Sequence, residues 1–421
     1  MRILVDSLNL VLSTGTGIAT YAGNFITNAA ACGHEIDLIL GNNWPYSRKP
    51  HQPVLLKEAL APAPRPRKIC PPIQRLYGEL RTCFAPRIND IPIIHEDNGL
   101  PVRHAWQVHQ LYRNAMTAYK RFGRFTELDI PGIDVAHWTS TMPIRVRNAV
   151  NVYTIHDMIP VTHPEFVLGN NQLNKNLFQS IGNSADLIFT VSENSKKDII
   201  KSLSCYADKV INTYQSIETD FWKVPSTTSA HLPANLVKNG YFLFFGAVEP
   251  KKNISRIIAA HCQSHTTLPL VLVASQGWGC DDVWKEIHNY ACNGSGRCIL
   301  LQYLPRADLV NIIAEAKSVV FPSLYEGFGL PVLEAMALGT PVIGSTVGSL
   351  PEVIGQAGLL VNPLDVQGLA NAMDRMEYES GLADSLVHKG KLQADKFSNT
   401  AYRKRLSVAL QSCAQRLQIR K

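Results

Sequence analysis

The sequence predicts an α/β protein built as two doubly wound domains in series. Three observations predict it. Short apolar runs recur along the chain, each ended by polar or charged residues and separated by helical periodicity. The alternation starts twice, at "RILVD" and again at "YFLFFG". Between these starts lies "WKVPSTTSAHLPANLVKNG", rich in Ser, Thr and Pro, which reads as a linker near residue 230. A chain of 421 residues also exceeds one ordinary core and suits two.

Taken in order, "RILVD" is a strand. Helix follows in "STGTGIATYAGNFITNAA", where Ile18, Tyr21, Ala22, Phe25 and Ile26 share one face. Gly33 closes it and "EIDLIL" is the next strand, so the chain opens β–α–β, the unit of a parallel sheet. Strand signals resume at "IDVAHW", "VNVYTIHD", "ADLIFTVS" and "KVINTY", with a helix in "SENSKKDIIKSL". The second alternation runs through "YFLFFG", "LPLVLVAS", "CILLQY", "SVVFPS" and "TPVIGS". The final stretch, "SNTAYRKRLSVALQSCAQRLQIRK", has an amphipathic helix pattern with a basic end. The expected boundaries are 1–225 for the N-terminal domain and 226–395 for the C-terminal domain. Residues 396–421 are expected as a helix packing across the boundary.

Composition narrows the class. The chain is 46% hydrophobic and 18% charged, as expected of a soluble globular protein. No apolar run reaches membrane-spanning length. Nine scattered cysteines without a Cys-x-x-Cys pair argue against a disulfide framework and for a reducing cytoplasm. The net charge of +7 concentrates between Pro45 and Arg124, where 14 Lys/Arg face 5 Asp/Glu. That region, about 45–124, reads as a basic insertion. Its interleaved aromatics and leucines suit an anionic membrane surface at the inner face of the plasma membrane, with a solvated insertion as the other reading. Nothing in the pattern calls for nucleic acid.

Two turns carry the chemistry. In "SVVFPSLYEGFGLPVLEAMALGTPVIGS" a strand, a glycine-rich turn and a helix follow one another. Pro331 suits a first helical position and Gly339 the C-terminal cap. The free N–H groups from Gly329 to Val332 then form an anion site for phosphate, and Gly327 and Gly329 allow close approach of a ligand. Glu326 and Glu334 flank this site. Carboxylates are poor neighbours for phosphate and good acceptors for hydroxyls. A diphosphate with a hydroxyl-rich ring at each end, a nucleotide sugar, satisfies both. "FLFFGAVEPKKNISRIIAAH" repeats the strand–turn–helix plan, with Asn253 as N-cap and Lys252 placed to neutralise a leaving diphosphate. "VYTIHDMIP" puts His156 and Asp157 at a strand end facing the cleft. No spacing suits a metal site built from the protein. A nicotinamide dehydrogenase would need Gly-x-Gly-x-x-Gly after the first strand, and "GTGIAT" carries Thr20 at the third glycine.

These motifs resemble the retaining glycosyltransferases of family 4, which have the GT-B fold. "EGFGLPVLE" looks like that family's Glu-x7-Glu motif and "GAVEPKKN" like its Gly-x-x-x-Pro-Arg/Lys-Lys-Asn turn. "TIHDMIP", "TVSENSKKDI", "ASQGWG" and "GSLPEVIGQAGLLVNP" are similar to recurrent segments in the same order. The resemblance is absent from about Asn43 to Phe125. It implies two Rossmann-like domains facing across a cleft, with the C-terminal helix crossing back. It implies that Glu326 holds donor-sugar hydroxyls, Glu334 the nucleotide ribose, and Lys252 the diphosphate. Gly327, Phe328, Gly329 and Leu330 would contact sugar and phosphate. His156 would sit against the donor sugar, Gly17 near the diphosphate and acceptor, and the base near Tyr303 and Leu304. Ala247 stands where many members carry arginine, and Gln302 where a glycine is common. Lys251 could supply the missing cation, but a subgroup with a small residue at Ala247 is the preferred reading. The implied reaction is hexosyl transfer with retention, without a metal or other cofactor, to a saccharide or lipid-linked saccharide in polysaccharide or lipopolysaccharide biosynthesis. The mannosyltransferases are the nearest likeness, with GDP-mannose as the expected donor. The alternative is a non-catalytic nucleotide-sugar-binding subunit of the same fold.

Overall fold

A computed structural model gives the structure of the chain. It describes residues 1–10, 17–41, 54–56, 60, 86–91, 93–94, 99–169, 171–203, 207–217, 236–292, 296–301 and 304–420. Two parallel sheets organise it. The first is built from β1 (Arg2–Asp6), β2 (Glu35–Leu40), β3 (Asn89–Ile91), β4 (His104–Gln107), β5 (Val135–Trp138), β6 (Val150–Thr154), β7 (Leu187–Thr190) and β8 (Val210–Asn212). Their order across the sheet is β8-β7-β6-β5-β1-β2-β4-β3. All pairs are parallel except β3 with β4.

The central strands β1, β2, β5, β6 and β7 are predominantly apolar because both faces of the sheet are covered there. β1 shows the consequence of the two-residue pleat. Leu4 joins a core with Ile39, Trp138 and Tyr153, while Ile3 and Val5 join a second core on the opposite face. The C-terminal helix, Asn399–Arg420, supplies Tyr402, Leu406, Ala409, Leu410 and Cys413 to that second core, beside Phe25 and Ile26 of the Gly17–Ala31 helix. The chain thus leaves the first domain at Ile217 and returns at Ser398. These two points are bridged, with Ile217 N–H donating to Phe397 O at 3.1 Å.

The second sheet consists of β9 (Phe242–Ala247), β10 (Leu270–Ser275), β11 (Cys298–Leu301), β12 (Ser318–Phe321), β13 (Val342–Ser345) and β14 (Gly358–Val361). Its order is β11-β10-β9-β12-β13-β14, all parallel. In each sheet the first strand lies between strands that wind away in opposite directions. The turns after β9 and β12 therefore flank a topological switch point, where open α/β sheets bind ligands.

Two expectations need correction. Part of the presumed basic insertion is core of the first domain. β4 and the helix Leu111–Phe122 bury Val102, Ala105, Leu111, Ala115, Ala118 and Tyr119. Arg113, Lys120 and Arg121 sit on the exposed side of that helix, so averaging charge over the region hides its apolar face. Much of the remainder, including most of 42–85, and most of the linker lie outside the described residues. The sequence reading also stops the second sheet at β13. β14 escapes it because "GLLV" is a partly buried edge strand with a weak pattern.

Candidate functional site

β12 delivers the chain into the turn 322–329, and the helix Leu330–Leu338 follows. Leu330 is the first helical residue and Pro331 the second, one later than expected, because Gly329 is the N-cap. Its φ of 103° belongs to glycine, and a Cβ there would lie 2.5 Å from Leu350 Cδ2. No side chain caps this helix, and Gly339 ends it at φ 82°. Gly327 has a different reason from the one the sequence suggests. A Cβ on it would meet the His156 carbonyl at 2.7 Å and Asp157 Cβ at 2.9 Å. It is a glycine because the two domains meet there.

Glu326 is 7% exposed. Its Oε1 lies 2.6 Å from Lys252 Nζ and its Oε2 lies 3.7 Å from Lys251 Nζ. The sequence reading gives Lys252 and Glu326 separate tasks. The structure joins them in one ion pair, because β9 and β12 are sheet neighbours and their turns meet. Burial alone would raise the Glu326 carboxyl; the Lys251 and Lys252 ammoniums outweigh it and hold it below the usual range. Lys251 is in turn pushed up, chiefly by Glu326 and further by Asp157 and Glu249, against the opposing effect of burial. Lys252 Nζ also sits 4.7 Å from the Phe321 ring centroid. Leu324 N–H donates to Lys251 O at 2.8 Å, and Ser349 Oγ donates to the carbonyls of Glu326 and Phe328. The first of these bonds ties the two turns together, and the Ser349 bonds anchor the second turn to the segment after β13. Asn253 is the N-cap by position only: at φ 64° it makes no cap bond, and its amide instead donates to Pro322 O and Pro363 O.

From the first domain, His156 Nε2–H donates to Thr139 O at 2.8 Å, and its ring meets Tyr21 edge-on at 4.9 Å. Burial lowers its pKa to about 4, so the imidazole is neutral. Asp157 follows; burial raises its carboxyl, offset by Lys251 across the cleft and by the Ile159 N–H. Gly17 opens the Gly17–Ala31 helix, and a Cβ on it would touch Leu330 Cδ1 at 3.4 Å. The structure thus brings Gly17, His156, Lys251, Lys252, Glu326, Gly327 and Leu330 to one place.

Glu334 stands further along its helix, partly buried. Desolvation pushes its carboxyl up to about 8, only partly offset by Arg306. Near pH 7 it can donate as well as accept, which suits a pair of ribose hydroxyls. Ala247 ends β9 opposite Ser275, after Gly246 at φ 138°. Phe328 is buried in the second domain's core and Leu304 packs against that core. Tyr303, with Gln302, lies outside the described residues.

Several residues at the domain contact received no role from the sequence, although Ser195 lies in "TVSENSKKDI" and Glu352 in "GSLPEVIGQAGLLVNP". Ser195 Oγ lies 2.9 Å from the His156 carbonyl and 3.2 Å from that of Gly327. Glu352 accepts the N–H groups of Glu193 and Asn194 at 2.9 and 3.0 Å, at the start of the Glu193–Leu203 helix, and the Tyr214 hydroxyl at 3.2 Å. The Tyr325 hydroxyl accepts from Asn194 Nδ2 at 2.7 Å and donates to Asp198.

Two Rossmann-like domains, with lysines, a paired glutamate and a helix N-terminus at the second domain's switch point, define a glycosyltransferase of GT-B architecture. Comparison with known proteins agrees. Residues 233–393 match the family described as glycosyl transferases group 1. O-antigen chain mannosyltransferase B of Escherichia coli is 35% identical over 267 residues, covering 61% of this chain and 68% of that protein. The serotype-specific mannosyltransferase WbdA of Escherichia coli is 31% identical over 60% of this chain, which spans only 32% of its length. Among solved structures, sucrose-phosphate synthase from Thermosynechococcus elongatus superposes with a TM-score of 0.68 at 17% identity, covering 98% of both chains. Anabaena HepE in complex with UDP-glucose gives 0.64 at 17% identity, covering 98% of this chain and all of that one. The chain belongs to the group 1 glycosyl transferases, and it is a hexosyltransferase.

Proposed function

We propose that this enzyme moves mannose from GDP-mannose, with retention, onto a saccharide or lipid-linked saccharide during polysaccharide or lipopolysaccharide assembly. One observation carries the site: the Glu326 carboxylate, held by Lys251 and Lys252, lies at the contact with His156 and Gly327. The choice of mannose rests on the likeness to the O-antigen mannosyltransferases.

In this reading the donor diphosphate lies against the N-terminus of the Leu330–Leu338 helix, within reach of Lys251 and Lys252. Glu326 accepts donor-sugar hydroxyls while its charge stays balanced by the lysines. Glu334 takes the ribose, and the base rests beside Leu304. The neutral His156 ring borders the sugar from the first domain. The acceptor hydroxyl approaches the face that the diphosphate leaves, and the departing phosphate oxygen takes its proton. The protein supplies positioning and charge stabilisation of the leaving group, with no covalent intermediate and no metal. The exposed Arg113, Lys120, Arg121, Phe122 and Arg124, at and after the Leu111–Phe122 helix, support a peripheral anionic-membrane contact at the cytoplasmic face. Among the described residues no helix is long and apolar enough to cross a membrane.

A panel of nucleotide sugars tested for thermal stabilisation identifies the donor, since a ligand at a hundred times its Kd adds about 2.7 kcal/mol. GDP-mannose should stabilise most, and the anomeric configuration of the product reports retention. Preferential stabilisation by a uridine sugar overturns the donor; an inverted product overturns the stereochemistry.

A further inference from the structure

The chain carries a buried acid that the donor-site reading leaves without a task. Asp6 ends β1 and is 1% exposed. Its carboxylate accepts the Leu8 N–H at 3.1 Å and the Thr139 N–H. Thr139 directly follows β5, the sheet neighbour of β1. The carbonyl of this same Thr139 accepts the His156 Nε2–H at 2.8 Å. His156 lies just past β6, the next strand in the sheet. A chain of contacts thus runs across the ends of three adjacent strands, from Asp6 through residue 139 to the imidazole in the cleft.

We propose that Asp6 is a positioning residue for transfer: it holds residue 139 so that its carbonyl fixes the His156 ring in the Nε2–H form, leaving Nδ1 as acceptor. A neutral imidazole carries one proton, so donation from Nε2 settles which nitrogen accepts. Tyr21 holds the same ring edge-on, and its own hydroxyl is tied to Thr154 Oγ1 at 2.9 Å. The orientation is therefore fixed from two sides. A carboxylate with no cation partner among the described residues is an expensive way to satisfy two backbone N–H groups, and burial raises its pKa to about 6. Glycine or serine would serve a bare turn. The carboxylate holds residue 139 more firmly because both its N–H contacts are charge-assisted.

This inference deepens the donor-site reading and rests on it for its catalytic consequence, but its structural half can be read without substrate. The full chain is compared with Asp6→Ala, Asp6→Asn, His156→Ala and the double variant Asp6→Ala/His156→Ala. Imidazole nitrogen NMR, with His156 assigned by its absence in His156→Ala, should show Nε2 protonated in the parent chain. In Asp6→Ala the ring should populate both tautomers. With the donor established by the panel above, Asp6→Ala should lower kcat about tenfold or more while GDP affinity stays within about twofold. Asp6→Asn, keeping one acceptor oxygen, should recover part of the rate; it also serves if the alanine variant fails to fold. The double variant should be no slower than His156→Ala alone. An unchanged tautomer in both Asp6 variants, or losses that multiply in the double variant, overturns the proposal. If the parent chain transfers from no donor in the panel while the tautomer shifts as expected, the donor reading fails and the positioning contact stands.

Discussion

Replacing Lys252 by alanine removes the ammonium 2.6 Å from Glu326 Oε1, and the structure sets how much that costs. A charge-assisted hydrogen bond contributes roughly 1.5–3 kcal/mol. Converted at about 1.4 kcal/mol per decade, this spans roughly tenfold to a hundredfold in kcat/KM. Lys251 remains 3.7 Å from Oε2, so the carboxylate keeps one counter-charge and the lower half of the range applies. The variant should therefore lose about ten- to thirtyfold in kcat/KM. The acid limb gives a second signature. Glu326 is held below its usual pKa by Lys251 and Lys252 against burial, so it stays ionised as pH falls. With one ammonium gone its pKa rises, and the acid limb of the rate profile moves toward neutrality. Initial rates over a pH series, with donor titrated at each point, read both effects. Activity within about twofold of the parent and an unmoved limb would refute the assignment of Lys252 to this charge cluster.

Other expectations follow from the same geometry. Glu334 is pushed from the usual value of 4.5 up to about 8, so between these limits the native state keeps a proton that the unfolded chain has lost. Its contribution to stability falls as pH rises through that window, and Glu334→Gln should remove this component from the slope of Tm against pH. Glu352→Ala strips two N–H acceptors from the start of the Glu193–Leu203 helix and should cost about 1 kcal/mol in denaturant unfolding, with a larger radius of gyration by X-ray scattering. A chelator should leave turnover unchanged if the lysines alone meet the diphosphate charge; a rate restored only by added divalent cation would count against it. Vesicles containing anionic lipid should sediment the protein at low salt and release it at high salt, and no binding at low salt would rule out the membrane contact.

The sheet strands were largely legible in the sequence, because a strand covered on both faces must be apolar throughout. "SVVF" and "FLFF" carry that signal plainly, and all their residues are buried. The Leu111–Phe122 helix was not, since its basic side masks its apolar side in any composition average. In the site, the glycine turns and their lysines and glutamates were legible because a strand–turn–helix unit is local. The pairing of Lys252 with Glu326 was not. It joins residues 74 apart through a strand order that the sequence does not state. Gly327, Ser195 and Glu352 are constrained by the opposite domain, and Asp6 acts across three strand ends. The only available cue for Asp6 was its place at the end of the first strand, where a charged residue stops an apolar run.

The return of the last helix to the first domain has a consequence for the newborn chain. Ile3, Val5 and Phe25 are synthesised long before Tyr402, Leu406 and Leu410, which cover them. The roughly 375 residues between Phe25 and Tyr402 take about 20–75 s to synthesise. Throughout that interval one flank of the leading half stays bare and sticky. The trailing half, whose core draws mostly on later residues, can compact as it appears. Assembly thus completes from the rear, and clipping the tail would leave the front of the molecule permanently unfinished.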